Sequence, residues 1–196
     1  MSQKSGYLSK QFLTWLFANM IGFGALGASY FVIPAKILMS GIVASTLIIS
    51  IPISLAQWIA LRRILDTSIL WIITIPVGLA LAIVTNKVIP DGLWQLVDDE
   101  SIAVLTAGYL FVGFSIGIPQ WLILRRQLPR SSIWLLGSSI GAATGLWFIL
   151  VTDLISQSGI ISYIVGVLIY SIVTGLTLTG LLAYYNQSQA NLANTT

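Results

Sequence analysis

The sequence predicts an all-α membrane protein with six transmembrane helices, paired as three parallel two-helix repeats in a pseudo-threefold bundle. Three observations predict it. The chain of 196 residues has a mean hydropathy of +0.94 and only 8% charged residues, against about 25% in an ordinary soluble domain. Six apolar runs are long enough for the roughly 20 residues of helix that a hydrocarbon core requires. Two short stretches are near copies: 57–63 reads QWIALRR and 120–126 reads QWLILRR.

The six spans are placed at Phe12–Ile33, Ile37–Leu61, Ser68–Thr85, Ile102–Leu124, Ser132–Val151 and Ile160–Leu182. Pro34-Ala35-Lys36 leaves almost no loop after the first. Arg62 to Thr67 and Arg125 to Ser131 form short basic breaks, the second ended by Pro129, which cannot continue a helix. Asp153 to Gly159 is short and polar. Only Asn86 to Ser101 is a real loop, with a turn at Pro90-Asp91-Gly92. Its Leu93, Trp94, Leu96 and Val97 suit the membrane interface, and Asp98-Asp99-Glu100 complements the start of the fourth helix. The first run follows Lys4 and Lys10, as a signal peptide would, but it is longer than a typical signal core and belongs to the repeat, so it is expected to stay.

Basic residues set orientation. With the N-terminus inside, the cytoplasmic side holds Lys4, Lys10, Arg62, Arg63, Arg125, Arg126 and Arg130. The outer side holds Lys36 and Lys87. Both termini are therefore expected in the cytoplasm.

The odd spans share a second pattern, a Trp and a Gly seven residues apart: Trp15 and Gly22, Trp71 and Gly78, Trp134 and Gly141. With the two QWxxLRR endings it defines a hairpin used three times in one orientation, about 12–66, 67–130 and 131–185, followed by a polar tail at 186–196. The third QWxxLRR is expected, decayed, at Thr179–Tyr185.

The belt rule puts Trp15, Trp58, Trp71, Trp121 and Trp134 at the cytoplasmic boundary, each ring in apolar surroundings with its N–H toward a polar partner. Arg62, Arg63, Arg125 and Arg126 follow one turn later and suit lipid phosphates or helix C-terminal carbonyls. Gln57 and Gln120 are placed to hydrogen-bond a neighbouring helix. Together Gln57, Trp58, Arg62, Arg63, Trp71, Gln120, Trp121, Arg125, Arg126 and Trp134 form a candidate cytoplasmic rim for anchoring or for a lipid or partner. Anchoring does not need the repeated Gln.

Small residues at four-residue spacing suit close helix packing. Gly113 and Gly117 supply it in the fourth span and Gly137, Gly141 and Gly145 in the fifth, with Gly24 and Ala28 extending it to the first. A homodimer face is the alternative use. Pro52, Pro76 and Pro119 lie inside spans and are expected to kink them.

No Asp, Glu, Lys or Arg lies deep in a span, and the chain has neither His nor Cys. Ion-coupled transport and voltage sensing normally need intramembrane charge. No catalytic constellation or metal-ligand spacing is visible, so no enzyme and no cofactor is expected. Asn19 is the most central polar side chain and suits a helix–helix hydrogen bond. Thr74, Thr85, Thr144, Thr174, Thr177 and Thr179 are expected to bond to their own backbones.

QWLILRR, the following Pro129–Trp134 and the Gly141/Gly145 pair resemble uncharacterised multi-pass bacterial membrane proteins of a cyanobacterial type, which repeat a QWLxLRR…W…G pattern. The resemblance covers Gln57 to Gly78 and Gln120 to Gly145, and the first and last spans only weakly. It implies a bacterial inner or thylakoid membrane and brings no activity. Mitochondrial carriers share the three-hairpin plan, but their Px[DE]xx[KR] motif is missing.

The functional expectation is a non-enzymatic membrane scaffold, or an accessory or assembly subunit of a larger membrane complex. One alternative is a permease or channel for a neutral or apolar solute. The other is a lipid or pigment binding protein, in which Gln57, Gln120 or Asn19 would offer an amide oxygen to a chlorophyll magnesium. Membrane lipids are the expected partners, with other membrane proteins or a second copy of the chain as further candidates, and no nucleic acid.

Overall fold

The computed structural model describes residues 2–32, 50–88 and 102–193, and all its elements are helices. They are α1 (Ser2–Val32), α2 (Ile51–Leu61), a 3-10 turn (Ile69–Ile73), α3 (Thr74–Val88), α4 (Ile102–Leu124), α5 (Ile133–Ser156) and α6 (Gly159–Ala193). Most of the second span, Ile37 to Ile49, lies outside the described residues. So do Lys36, most of the Asn86–Ser101 loop with its acidic run, and the side chains of Ala28 and Lys87.

The third span is two pieces because of Pro76. This residue has no N–H to give the carbonyl four residues earlier, so the chain enters through a 3-10 turn and Pro76 falls in the first turn of α3. Ser68 starts the turn, its side chain accepting from Leu70 N. Pro52 is likewise the second residue of α2. Pro119 alone of the three lies in a helix interior. There it removes the helical donor to Ser115 O, the carbonyl that faces Gly78. α5 stops at Gln157, which takes a left-handed φ of 50°. α6 continues through the polar tail as far as Ala193.

Sequential helices are neighbours, and α6 also packs on α1, which closes the ring. Glycines set the closest approaches. A Cβ on Gly22 would lie 2.7 Å from Ile53 Cα of α2, and one on Gly78 would collide with Ile116 Cα of α4. Gly113 meets Ser138 and Ser139 of α5, Gly117 meets Ser138, Gly137 meets Thr177, Gly141 meets Thr174 and Tyr170, and Gly145 meets Gly166 O. These five glycines are buried between helices of one chain, not on an outer face. Gly24 corrects the expectation: it is exposed, with nothing within 4 Å of a Cβ, and Gly22 makes the close contact. Helical phase decides this. Gly22 is seven residues, about two turns, after the buried Trp15, so it stays on the inward face.

Polarity is inverted relative to a water-soluble bundle. Asn19, Gln57, Gln120, Ser54, Ser138, Ser171 and Thr174 are inside, while Phe17 (60% exposed), Ile21 (67%), Leu136 (64%) and many other large apolar residues face outward. Three of the described helices, Ala103–Leu124, Ile133–Ser156 and Gly159–Ala193, are long and apolar enough to cross a membrane.

Candidate functional site

Trp15, Trp71 and Trp134 meet at the middle of the ring. All three have no exposed surface. Trp15 and Trp134 pack edge to face with centroids 5.6 Å apart, and Trp71 and Trp134 at 6.4 Å, both within the favourable range for offset aromatic pairs. These three therefore face the axis of the bundle and not its outer surface. An indole needs an acceptor for its N–H. The belt rule supplies one from headgroups or water, and here the neighbouring helix supplies it.

Trp71 Nε1 donates to Gln57 Oε1 (3.2 Å) and Trp134 Nε1 to Gln120 Oε1 (3.0 Å). Trp15 Nε1 donates to Thr174 Oγ1 (3.0 Å), which itself donates to Tyr170 O. The amides are then chained. Gln120 Nε2 donates to Gln57 Oε1 (3.2 Å), Gln57 Nε2 to Asn19 Oδ1 (2.9 Å), and Asn19 Nδ2 to Trp15 O (2.9 Å). Among the described residues, no buried side-chain nitrogen or oxygen lacks a partner. That is what a polar layer in a low-dielectric interior requires.

One further reading is corrected by this network. Gln57, Gln120, Trp71 and Trp134 do not belong to an accessible rim, because none has exposed surface. The amide oxygens of Gln57, Gln120 and Asn19, named from the sequence as possible magnesium ligands, are buried and accept hydrogen bonds from within. The third capping position is Thr174, five residues before the one expected. Leu61 and Leu124, each four residues after its Gln, are buried beside the Trp cluster, and Leu178 is buried four residues after Thr174. The six threonines named from the sequence do bond to backbone carbonyls three or four residues earlier in the chain.

On one side of this layer, toward the Arg loops, Leu61, Leu65, Leu124, Leu128, Leu178, Leu181 and Leu182 fill the axis. On the other side lies a cavity of ≈ 300 Å³ whose walls come from all six helices. Phe23, Ile53, Leu79, Ile116, Leu146 and Tyr170 are one from each, and the remaining lining residues are also uncharged. Tyr170 stands at the junction. Its ring packs edge to face on Phe23 at 5.5 Å, and its phenol lies beside the side chains of Gln57 and Ser138. No signal in the sequence marks this cavity, which is space left between helices.

The other residues named for the rim lie at the Arg end of the bundle. Arg62 lies 4.7 Å over the half-buried Trp58 ring and Arg125 5.2 Å over Trp121. Arg130, at a left-handed φ of 58°, lies 4.3 Å over Tyr184. Arg63 and Arg126 are exposed. Trp58 also donates Nε1 to Thr67 O at 3.2 Å.

No known protein family, curated protein or solved structure matches this chain.

Proposed function

We propose that the chain is a six-span membrane bundle of three hairpins about a pseudo-threefold axis, and that it binds a small, neutral, mainly apolar molecule in its axial cavity. It would do so without covalent chemistry. The single observation that carries the functional reading is the cavity itself: ≈ 300 Å³, uncharged, and walled by every helix of the ring. This is the low end of the size range of small-molecule sites. A charged ligand would leave its charge unpaired in a low-dielectric space.

The pseudo-symmetric reading is supported by equivalent partners. Gln57 caps Trp71 and Gln120 caps Trp134, each pair 14 residues apart, while Thr174 caps Trp15 across the closure of the ring. Gly22 packs on Ile53, Gly78 on Ile116 and Gly141 on Tyr170. These three partners each stand four residues before their capping residue. Six crossings, with both termini on the basic cytoplasmic side, follow from the six apolar runs and the Arg loops. A bacterial inner or thylakoid membrane rests on the sequence resemblance.

The cavity ranks ligand binding above the scaffold reading, which is supported by the exposed Arg end alone. It also ranks binding above free passage. A continuous path would have to open the Trp15, Trp71 and Trp134 cluster and the leucines beyond it.

The test is to purify the full chain and Leu79→Trp from the native membrane in mild detergent, extract each with organic solvent, and compare the extracts by mass spectrometry. The larger side chain at Leu79 occupies the cavity. A small apolar molecule enriched with the wild type and depleted in the variant is the expected result. Identical extracts would overturn the reading.

A further inference from the structure

The Arg end of the bundle carries a second arrangement that the cavity does not use. We propose that Arg62 on Trp58 and Arg125 on Trp121 form two equivalent sites for the phosphate of an anionic phospholipid headgroup. The proposal rests on the chain crossing a membrane, but not on the cavity being occupied.

A guanidinium held over an indole by cation–π attraction still has N–H groups to offer, and their fork matches the oxygens of a phosphate in bidentate fashion. Both Arg lie over the Trp four residues earlier on their own chain, at 4.7 and 5.2 Å. On the first copy the platform is itself fixed, because Trp58 Nε1 is held by Thr67 O. A pre-positioned fork loses less side-chain freedom on binding than a free one.

Surroundings select the ligand. The two loops that follow, 62–68 and 125–132, contain five Arg and a single acid, Asp66. Just before each Arg the same helix exposes apolar side chains: Leu55 (39%) and Ile59 (38%) on α2, Leu122 (39%) on α4. A phosphate that sits on the Arg while its attached chains lie along those residues belongs to a phospholipid.

The third position of the ring differs. By the register of the capping residues, Gly175 stands where Trp58 and Trp121 stand, and Thr179 where Arg62 and Arg125 stand. Gly175 is covered instead by Phe12 and Trp15 of α1. Two tightly held lipids per chain are therefore expected, not three.

The experiment is native mass spectrometry of the full chain titrated with phosphatidylglycerol or with phosphatidylcholine, each variant checked for its wild-type melting temperature. The wild type should retain two phosphatidylglycerols in preference to phosphatidylcholine. The double variant Arg62→Lys, Arg125→Lys keeps the charge but loses the flat fork, and should bind the anionic lipid about tenfold more weakly. Trp58→Leu with Trp121→Leu should have the same effect while keeping both Arg. Arg130→Lys should leave both sites intact. Wild-type affinity in the Lys double variant would reduce the effect to bulk charge and overturn the proposal. Equal retention of the two lipids, or displacement of phosphatidylglycerol by millimolar inorganic phosphate, would also overturn it.

Discussion

The indole N–H of Trp134 donates to Gln120 over 3.0 Å, and the same bond, 3.2 Å long, joins Trp71 to Gln57. In each pair the acceptor stands 14 residues earlier, on the helix before the loop. The polar end of one helix thus satisfies the buried aromatic of the next. Gln57 carries the most of this layer, because its oxygen accepts from both Trp71 and Gln120 and its nitrogen donates to Asn19.

Gln57→Leu strands the Trp71 N–H, the Gln120 N–H and the Asn19 oxygen. Gln120→Leu strands chiefly the Trp134 N–H. Each stranded group costs about 1 kcal/mol in an apolar interior. Thermal melting in detergent should therefore fall further for Gln57→Leu than for Gln120→Leu. The reverse order would contradict the network.

Gly22→Ala should destabilise the α1–α2 contact by about 1–3 kcal/mol, since a methyl there meets Ile53 backbone at 2.7 Å. Gly24→Ala should be neutral, or stabilising by up to about 1 kcal/mol, because it adds helix propensity in open space. Melting of the two variants side by side separates the inward glycine from the outward one.

Gln157 holds a φ of 50° at the end of α5, a conformation that costs an L residue about 1–2 kcal/mol and glycine little. Gln157→Gly should raise the melting temperature by about 2–4 °C per kcal/mol recovered. A lowered value would show that the side chain does more than terminate the helix.

The chain has no Cys, so each introduced one is unique. In sealed cells, Gln157→Cys should react with a membrane-impermeant maleimide. Arg63→Cys and Asn186→Cys should react only after permeabilisation. The opposite pattern would invert the orientation proposed from the Arg loops.

Much of the site was written in the repeated Gln. Anchoring has no use for a glutamine beside each Trp, and the structure gives Gln57 and Gln120 the acceptor role for Trp71 and Trp134. What misled was the belt rule, since a Trp near an Arg suits an interface and an axis equally well, and only the helical phase of the partner decides. Thr174 was missed because hydroxyl and amide both cap an indole, while the Trp and Arg that make the motif recognisable are replaced by Gly175 and Thr179. Gly24 with Ala28 satisfied a spacing rule, yet Gly22 faces α2, because spacing says nothing about which side of a helix is opposed. The cavity has no local signature, being the space between Phe23, Leu79, Val112 and Ile149 on four helices far apart in sequence.

The axial site is tested most directly by photolabelling. The purified bundle would be irradiated with a small neutral aliphatic alcohol carrying a diazirine, and the adducts mapped by peptide mass spectrometry. The account predicts labelling of Val112, Ile116, Ile149, Tyr163 or Tyr170, lost in Leu79→Trp. Adducts confined to outward residues such as Phe17, Val84 and Leu136, unchanged in that variant, would contradict it.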